Sequence, residues 1–264
     1  AEYLELGISM SYEPSAPPPT RIIRPTKGWL PLDLGGLWRH RELIYFLAWR
    51  DIRLRYRQTL LGVAWAVIQP VSTMLVFSLF FGRLAKLPSE GVPYPVFAFC
   101  ALLPWQLFAY ALLESSNSLV NQKQMLTKVY FPRLAVPLAS VVAGVVDFLV
   151  ALVILALLMV YYGMGFGSRA LALPLLAAVA LVTALGVGLW LAALNVRYRD
   201  IRYTIPFLTQ LWLLATPVAY PSTLVSERWR PLLGLNPMAG VVEGLRWAML
   251  GTPGPSPQRL AISL

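Results

Sequence analysis

One cysteine and one histidine are all that this 264-residue chain holds of the usual thiol and imidazole ligands. Cys100 alone excludes an intrachain disulfide, and in its apolar run it reads as a buried, inert thiol. His40 has no cysteine or second histidine with which to build a zinc site. None of Lys27, Lys86, Lys123 and Lys128 follows a glycine, so the phosphate-cradling loop of nucleotide-hydrolysing proteins is missing. A nucleophile elbow and a paired-carboxylate arrangement are missing too, which leaves the chain without a recognisable catalytic centre. Charge is also scarce: 13% of residues are charged, where a soluble domain carries about a quarter. With 58% hydrophobic residues and a mean hydropathy of +0.63, the composition is that of an integral membrane protein. Acids are scarcer than bases, 12 against 22, for a net charge of +10. The basic residues gather at the ends of apolar runs and form no continuous soluble face, which is a membrane-boundary pattern and excludes a nucleic-acid footprint.

What is present is organised around the stretch WRDIRLRYRQTLLGVAWAVIQP, Trp49 to Pro70. Its first half carries Arg50, Arg53, Arg55 and Arg57, with Asp51 spaced to pair with Arg55 one turn later. No charge follows from Gln58 to Gly82, long enough for the roughly 20 residues that cross a hydrocarbon core. The spacing therefore predicts an amphipathic interface helix over 33–59, with Asp33 as N-cap and Gly35 and Gly36 weakening its first turn, then a first span at about 61–81. Before it, residues 1–31 carry six prolines and few large apolar side chains and read as a flexible cytoplasmic lead. No apolar core of signal-peptide kind precedes the first basic residues, so cleavage is not expected.

Further spans are predicted at about 96–113, broken by Pro104, and at 136–162, 170–194 and 204–220, the last short and punctuated by Pro206 and Pro217. Gly186 and Gly188 are placed to let helices approach closely. The polar stretch ESSNSLVNQKQMLTKVYFPR after the second span reads as a cytoplasmic segment with a short helix ended by Pro132. Residues 222–250 are too polar and broken to cross a bilayer yet too apolar for a free loop. Two short re-entrant helices divided at Asn236-Pro237 fit them, lining or packing against a pathway. A sixth span starts at 257–264 and stops short of about 20 residues, so it is expected to be incomplete here. With the amino terminus inside, fifteen basic residues fall on the cytoplasmic side and seven outside. The fold class is all-α integral membrane, with residues 32–264 as one transmembrane domain.

Asp147 is the one acid within a long apolar span, where charge is costly and function is the default question. A structural hydrogen bond to Ser140, Thr183 or Asn195 is one reading and a direct role in transport the other; without further acids a proton relay is not indicated. Glu114 is placed either to pair with an arginine of the interface helix or to be solvated. Aromatic residues are the second signal, and most suit the belt at headgroup level. Phe77, Phe81, Trp105, Phe108, Tyr110, Trp229 and Trp247, with Asn236 at the re-entrant break, are the candidates for a channel wall or gate along which sugar faces stack.

Read together, the Trp49–Pro70 stretch, PWQLFAYALLESSNSLVNQKQMLTKVYFPRLAVPLAS, ALNVRYRDIRY, TPVAYPSTL and LNPMAGVVEGLRW resemble the permease subunit of ATP-binding-cassette exporters of the ABC-2 type, for O-antigen, teichoic acid and capsular polysaccharides. The likeness covers roughly Trp38 to Gly251. It implies a six-span permease in the bacterial inner membrane, working as a homodimer with two copies of a nucleotide-binding subunit. ATP and magnesium belong on that partner, and this chain carries no cofactor and no enzyme activity of its own. The implied cargo is an undecaprenyl-diphosphate-linked polysaccharide such as O-antigen. The ATPase contacts fall, by the same resemblance, on the interface helix with Arg50, Arg53 and Arg57, and on a cytoplasmic coupling helix around Asn117 to Tyr130 with Lys123, Gln124, Lys128 and Tyr130. The re-entrant helices correspond to the outer gate. A membrane-embedded enzyme acting on lipid-linked sugars needs clustered acids or a metal site, and a secondary transporter needs paired intramembrane charges or two matching halves; neither pattern is visible in the sequence.

Overall fold

The computed structural model describes residues 34–57, 64–128, 131–165, 167–226 and 228–252, with backbone only at Leu34, Arg57, Arg230 and Pro231. The proline-rich lead, Asp33, residues 58–63 at the start of the first span, Tyr130 and the start of a sixth span lie outside the described residues. The described elements are helical throughout: α1 (Leu34–Arg39), α2 (Arg41–Arg57), α3 (Ala64–Phe77), α4 (Tyr94–Asn121), α5 (Lys123–Lys128), α6 (Ala135–Tyr161), α7 (Leu173–Arg197), α8 (Ile201–Ala215), α9 (Arg230–Gly234) and α10 (Pro237–Leu250). Among the described residues four helical stretches are long and apolar enough to cross a membrane: Ala64–Leu84, Tyr94–Asn121, Ala135–Tyr161 and Ser168–Arg197. This is a multi-pass membrane protein; on the predicted fifth span the helix α8 has 15 residues, with Pro206 inside it, and is shorter than those four stretches.

The centre of the bundle is α4. Its most apolar window is 78% buried, against 11% for the α3 and α7 stretches. It is packed by α3, α6, α7, α8 and α10. The others turn outward faces such as Leu75 and Val76, Val153 and Leu157, and Val182 and Trp190 to their surroundings, as helices do in lipid. Pro104 does not break α4. In a packed span neighbouring helices re-satisfy the backbone group that proline frees, so the helix runs on.

Nor does α4 end near residue 113. It continues to Asn121, and Ser115, Ser116, Asn117 and Ser118 are buried in it, not displayed in a loop. The reason is local chemistry. The hydroxyls of Ser115 and Ser116 donate back to Leu112 O, at 3.2 and 2.6 Å, and Ser118 donates to Ser115 O at 2.7 Å. Asn195 of α7 then donates Nδ2 to Ser116 O and Asn117 Oδ1, both at 3.0 Å, joining the two helices. They come this close because a Cβ on Gly188 would collide with the Ser115 side chain. Gly186 faces open space and plays no such part. The Asn117–Tyr130 stretch expected as one coupling helix is thus divided between the end of α4 and the short α5.

The interface helix is likewise two pieces, parted at His40, whose Nδ1 lies 2.7 Å from Gly36 O. The end of the first span also departs from α-helix: Ser78–Leu84 winds in a wider π-type turn, with Ala85 N donating to Phe80 O at 2.8 Å. Contacts fix two ends of the bundle. At one, α2 lays Leu43, Ile44, Leu47 and Ala48 against Ala139 and Val142 of α6 and Met125 of α5. At the other, α10 packs on the beginnings of α4 and α7.

Candidate functional site

Between these ends lies a cavity of about 700 Å³ walled by α3, α4, α6 and α8 and reached by the last residues of α2. Its lining is mixed in a particular way. Trp65, Trp105, Tyr110 and Phe148 present rings, and Gln69, Gln106 and Gln210 with Thr73 and Thr209 present amides and hydroxyls. Among the described residues of the lining, charge enters only through Arg55 and Asp147. A concave, largely apolar wall with a few donors and acceptors is the general form of a site for a neutral polar molecule.

Asp147 stands on α6 at the edge of this cavity. Tyr56 donates its hydroxyl to Asp147 Oδ1, and Arg55 Nη2 holds Oδ2 at 2.6 Å. The Arg55 guanidinium lies over the Tyr110 ring of α4, 4.4 Å from its centroid, and Tyr110 in turn occupies the space where Gly144 has no Cβ. Burial first, and the Asp147 hydrogen bond second, hold the Tyr56 phenol well above its ordinary range, so it stays protonated and remains the donor.

This arrangement replaces two expectations. The sequence spacing offered Asp51 to Arg55, but Asp51 takes Arg50, Oδ1 to Nη2 at 2.8 Å. Arg55 instead reaches across to Asp147 Oδ2, with the Tyr110 ring beneath its guanidinium. The partners considered for Asp147 are each engaged elsewhere: Ser140 donates to Pro137 O, Thr183 to Val179 O, and Asn195 to α4. Arg55, the interface-helix arginine nearest to the expectation for Glu114, gives its guanidinium contact to Asp147 instead.

A second polar knot sits at the α10 end. Arg246, 3% exposed, donates Nη1 to Pro217 O at 2.8 Å and to Tyr220 O at 3.4 Å, and Nη2 to Val218 O at 2.7 Å. Its guanidinium stacks on Phe97 of α4 at 3.6 Å. Tyr94 closes the cage from the other side by donating to Ala219 O at 2.7 Å. Asn236 caps α10 through Oδ1, which accepts from Met238 N at 3.1 Å and Trp212 Nε1 at 2.9 Å, while Nδ2 donates to Thr216 Oγ1 at 2.9 Å. So TPVAY and LNPMAGVVEGLRW, far apart in sequence, form one unit. Sequence reasoning missed Arg246; the available signal was a cation in a segment otherwise fit for burial.

Of the channel and gate candidates, Trp105 and Tyr110 line the cavity. Phe108 is turned into the core, edge-on to Trp212 at 4.8 Å. Phe77 and Phe81 lean on each other at the far end of the first span, 5.3 Å apart. Trp247 lies under Arg169 at 5.3 Å, Trp229 is exposed, and Asn236 belongs to the knot just described. The α2 and α5 stretches are brought together, since Leu43 and Ile44 pack with Met125. There Arg53 lies over Trp49, and Lys123, Gln124 and Lys128 are exposed beside exposed Tyr45 and Phe46. Arg57 has no described side chain.

Three relatives place this geometry among known proteins. The O-antigen export system permease protein RfbA of Myxococcus xanthus is 33% identical over 209 residues, covering 78% of this chain and 79% of that protein. The protein of the same name from Klebsiella pneumoniae is 27% identical over 216 residues, 81% of each. The polysialic acid transport protein KpsM of Escherichia coli is 22% identical over 206 residues, 76% of this chain and 78% of its own. The family model described as ABC-2 type transporter matches residues 42–250, which takes in α2, the cavity and both polar knots. The chain therefore belongs to the ABC-2 type transporter family, membrane proteins that work with a separate ATP-binding-cassette ATPase.

Proposed function

We propose that this chain is the membrane subunit of an ATP-driven exporter that moves a lipid-linked cell-surface polysaccharide, O-antigen or a related glycan, outward across the bacterial inner membrane. The observation that carries this is the cavity within the spans: indole and phenol rings interleaved with glutamine amides. Ring faces stack on the C–H faces of sugars, and amides both donate to and accept from hydroxyls, so the lining suits a neutral, hydroxyl-rich chain. The names of the relatives support the same cargo.

Two copies of the chain act together in this reading, with the outward apolar faces of α3 and α8, among them Val67, Ile68, Phe207 and Leu211, available for a partner or lipid. Two copies of the ATPase, holding ATP and magnesium, sit under α2 and α5, where Arg50, Arg53, Arg57, Lys123, Gln124, Lys128 and Tyr130 are the proposed contacts. The amino terminus is cytoplasmic, which the excess of basic residues at that end supports. The α10 unit, which carries Trp247 and is preceded by Trp229, is the proposed outer gate. Asp147, engaged by Arg55 and Tyr56, speaks against the proton relay that a secondary transporter would use. The test is purification with the neighbouring ATPase subunit. The isolated chain is expected to hydrolyse no ATP and the complex to do so, with surface glycan lost when either is deleted. Turnover by the pure chain, or normal surface glycan in its absence, sinks the proposal.

A further inference from the structure

We propose that Arg55, Tyr56 and Asp147, seated on Tyr110, are the joint through which movement of α2 reaches the cavity wall, and thus positioning residues for export. This rests on the reading of the chain as an ATP-driven permease. Toward the bundle, α2 is attached by apolar packing of Leu43, Ile44, Leu47 and Ala48 on α5 and the first turns of α6, and further along by the ion pair and hydrogen bond to Asp147. Most of the rest of its surface, Tyr45, Phe46, Trp49 and Leu54, is exposed. The chain leaving α2 leads within a few residues into α3, whose Trp65 and Gln69 line the cavity. At cavity depth a push on α2 is passed to α6 through the Asp147 contact. With the joint made, the α6 wall shifts with α2; without it, α2 slides past that wall.

The chemistry of the contact favours this role over simple glue. Two helices are held at least as well by apolar side chains of the same volume, whereas a charged pair with an added phenol hydrogen bond is satisfied in one register and lost on a small slide. Tyr110 fixes that register from α4, the buried post of the bundle, through the ring beneath Arg55 and its close seat on Gly144. The alternative of an anion site is disfavoured by the pairing. The Arg55 guanidinium is held by Asp147 and that of Arg50 by Asp51, so each of these cations already has its anion.

The test uses the full permease–ATPase complex, expressed in cells for surface glycan and purified in nanodiscs for ATP hydrolysis, both normalised to assembled complex. Asp147→Asn and Arg55→Asp are expected to assemble and hydrolyse ATP, with glycan exported per ATP hydrolysed down about tenfold. The exchange Arg55→Asp with Asp147→Arg should restore most of the ratio, and Tyr56→Phe, which keeps the ion pair, should lower it mildly. A role confined to folding lowers the amount of complex and leaves the ratio alone. Wild-type ratios in Asp147→Asn and Tyr56→Phe, or no recovery in the exchange while both singles assemble, overturn the joint. Hydrolysis without any export by the wild-type complex overturns instead the permease reading on which the joint depends.

Discussion

Replacing Arg246 by methionine removes the guanidinium that closes the 217–220 turn while keeping an unbranched side chain of similar reach. The structure sets the scale of the loss. Two donated bonds of 2.7 and 2.8 Å disappear, and the Pro217 and Val218 carbonyls are left unpaired inside the protein. Hydrogen bonds to charged groups contribute about 1.5–3 kcal/mol each. Against this stands the relief of no longer burying a cation, so the net destabilisation is put at about 2–4 kcal/mol, typical of a broken buried network. For a chain of this size that corresponds to a fall in melting temperature of roughly 5–15 °C. Cys100 makes the measurement simple. It is the sole thiol and 0% exposed, so a thiol-reactive dye fluoresces only as the bundle opens. Arg246→Lys keeps the charge but loses the planar fork and should melt between the two. Melting of Arg246→Met within about 2 °C of the parent would refute the assignment of Arg246 as the clasp of this turn.

Three further outcomes are expected. Gly188→Leu should separate α7 from α4 and destabilise by about 1–3 kcal/mol in the same dye assay, whereas Gly186→Leu, in open space, should melt as the parent does. Asn195→Leu removes two bonds between α7 and α4 and should cost about 1 kcal/mol, read again as a lower melting temperature. On a Cys100→Ala background, cysteines at Lys123 and Arg228 should react with an impermeant reagent from opposite sides of the membrane; labelling of both from one side breaks the proposed orientation.

The apolar runs placed the spans because length and hydropathy are properties of a contiguous segment. Helix ends were less legible. The run Ser115–Ser118 looks like loop by composition, and only the return of each hydroxyl to its own helix, with Gly188 opposite, explains why α4 passes through it. The polar partners were least legible. Local spacing joined Asp51 to Arg55, whereas the contact that prevails spans 91 positions between Tyr56 and Asp147. Arg246 carried a signal as a cation in a segment fit for burial, but its partners were not legible, since they are backbone carbonyls that any sequence supplies. Trp105 and Tyr110 were identifiable as aromatics in a span, yet which face of α4 meets the cavity is decided by the helices around it.

The shortness of α8 has a consequence for the bilayer itself. Fifteen residues of helix rise about 22 Å, some 8 Å less than the thickness of a usual hydrocarbon layer. An element that short spans a bilayer only where lipid thins beside it or a neighbour shields it, at a cost of a fraction of a kcal/mol per Å. The open backbone at 216–220 that follows it turns its carbonyls to a guanidinium and a phenol, the internal partners that irregular backbone needs at membrane depth. Since α8 also contributes Thr209 and Gln210 to the cavity, this short helix brings an amide and a hydroxyl to that wall.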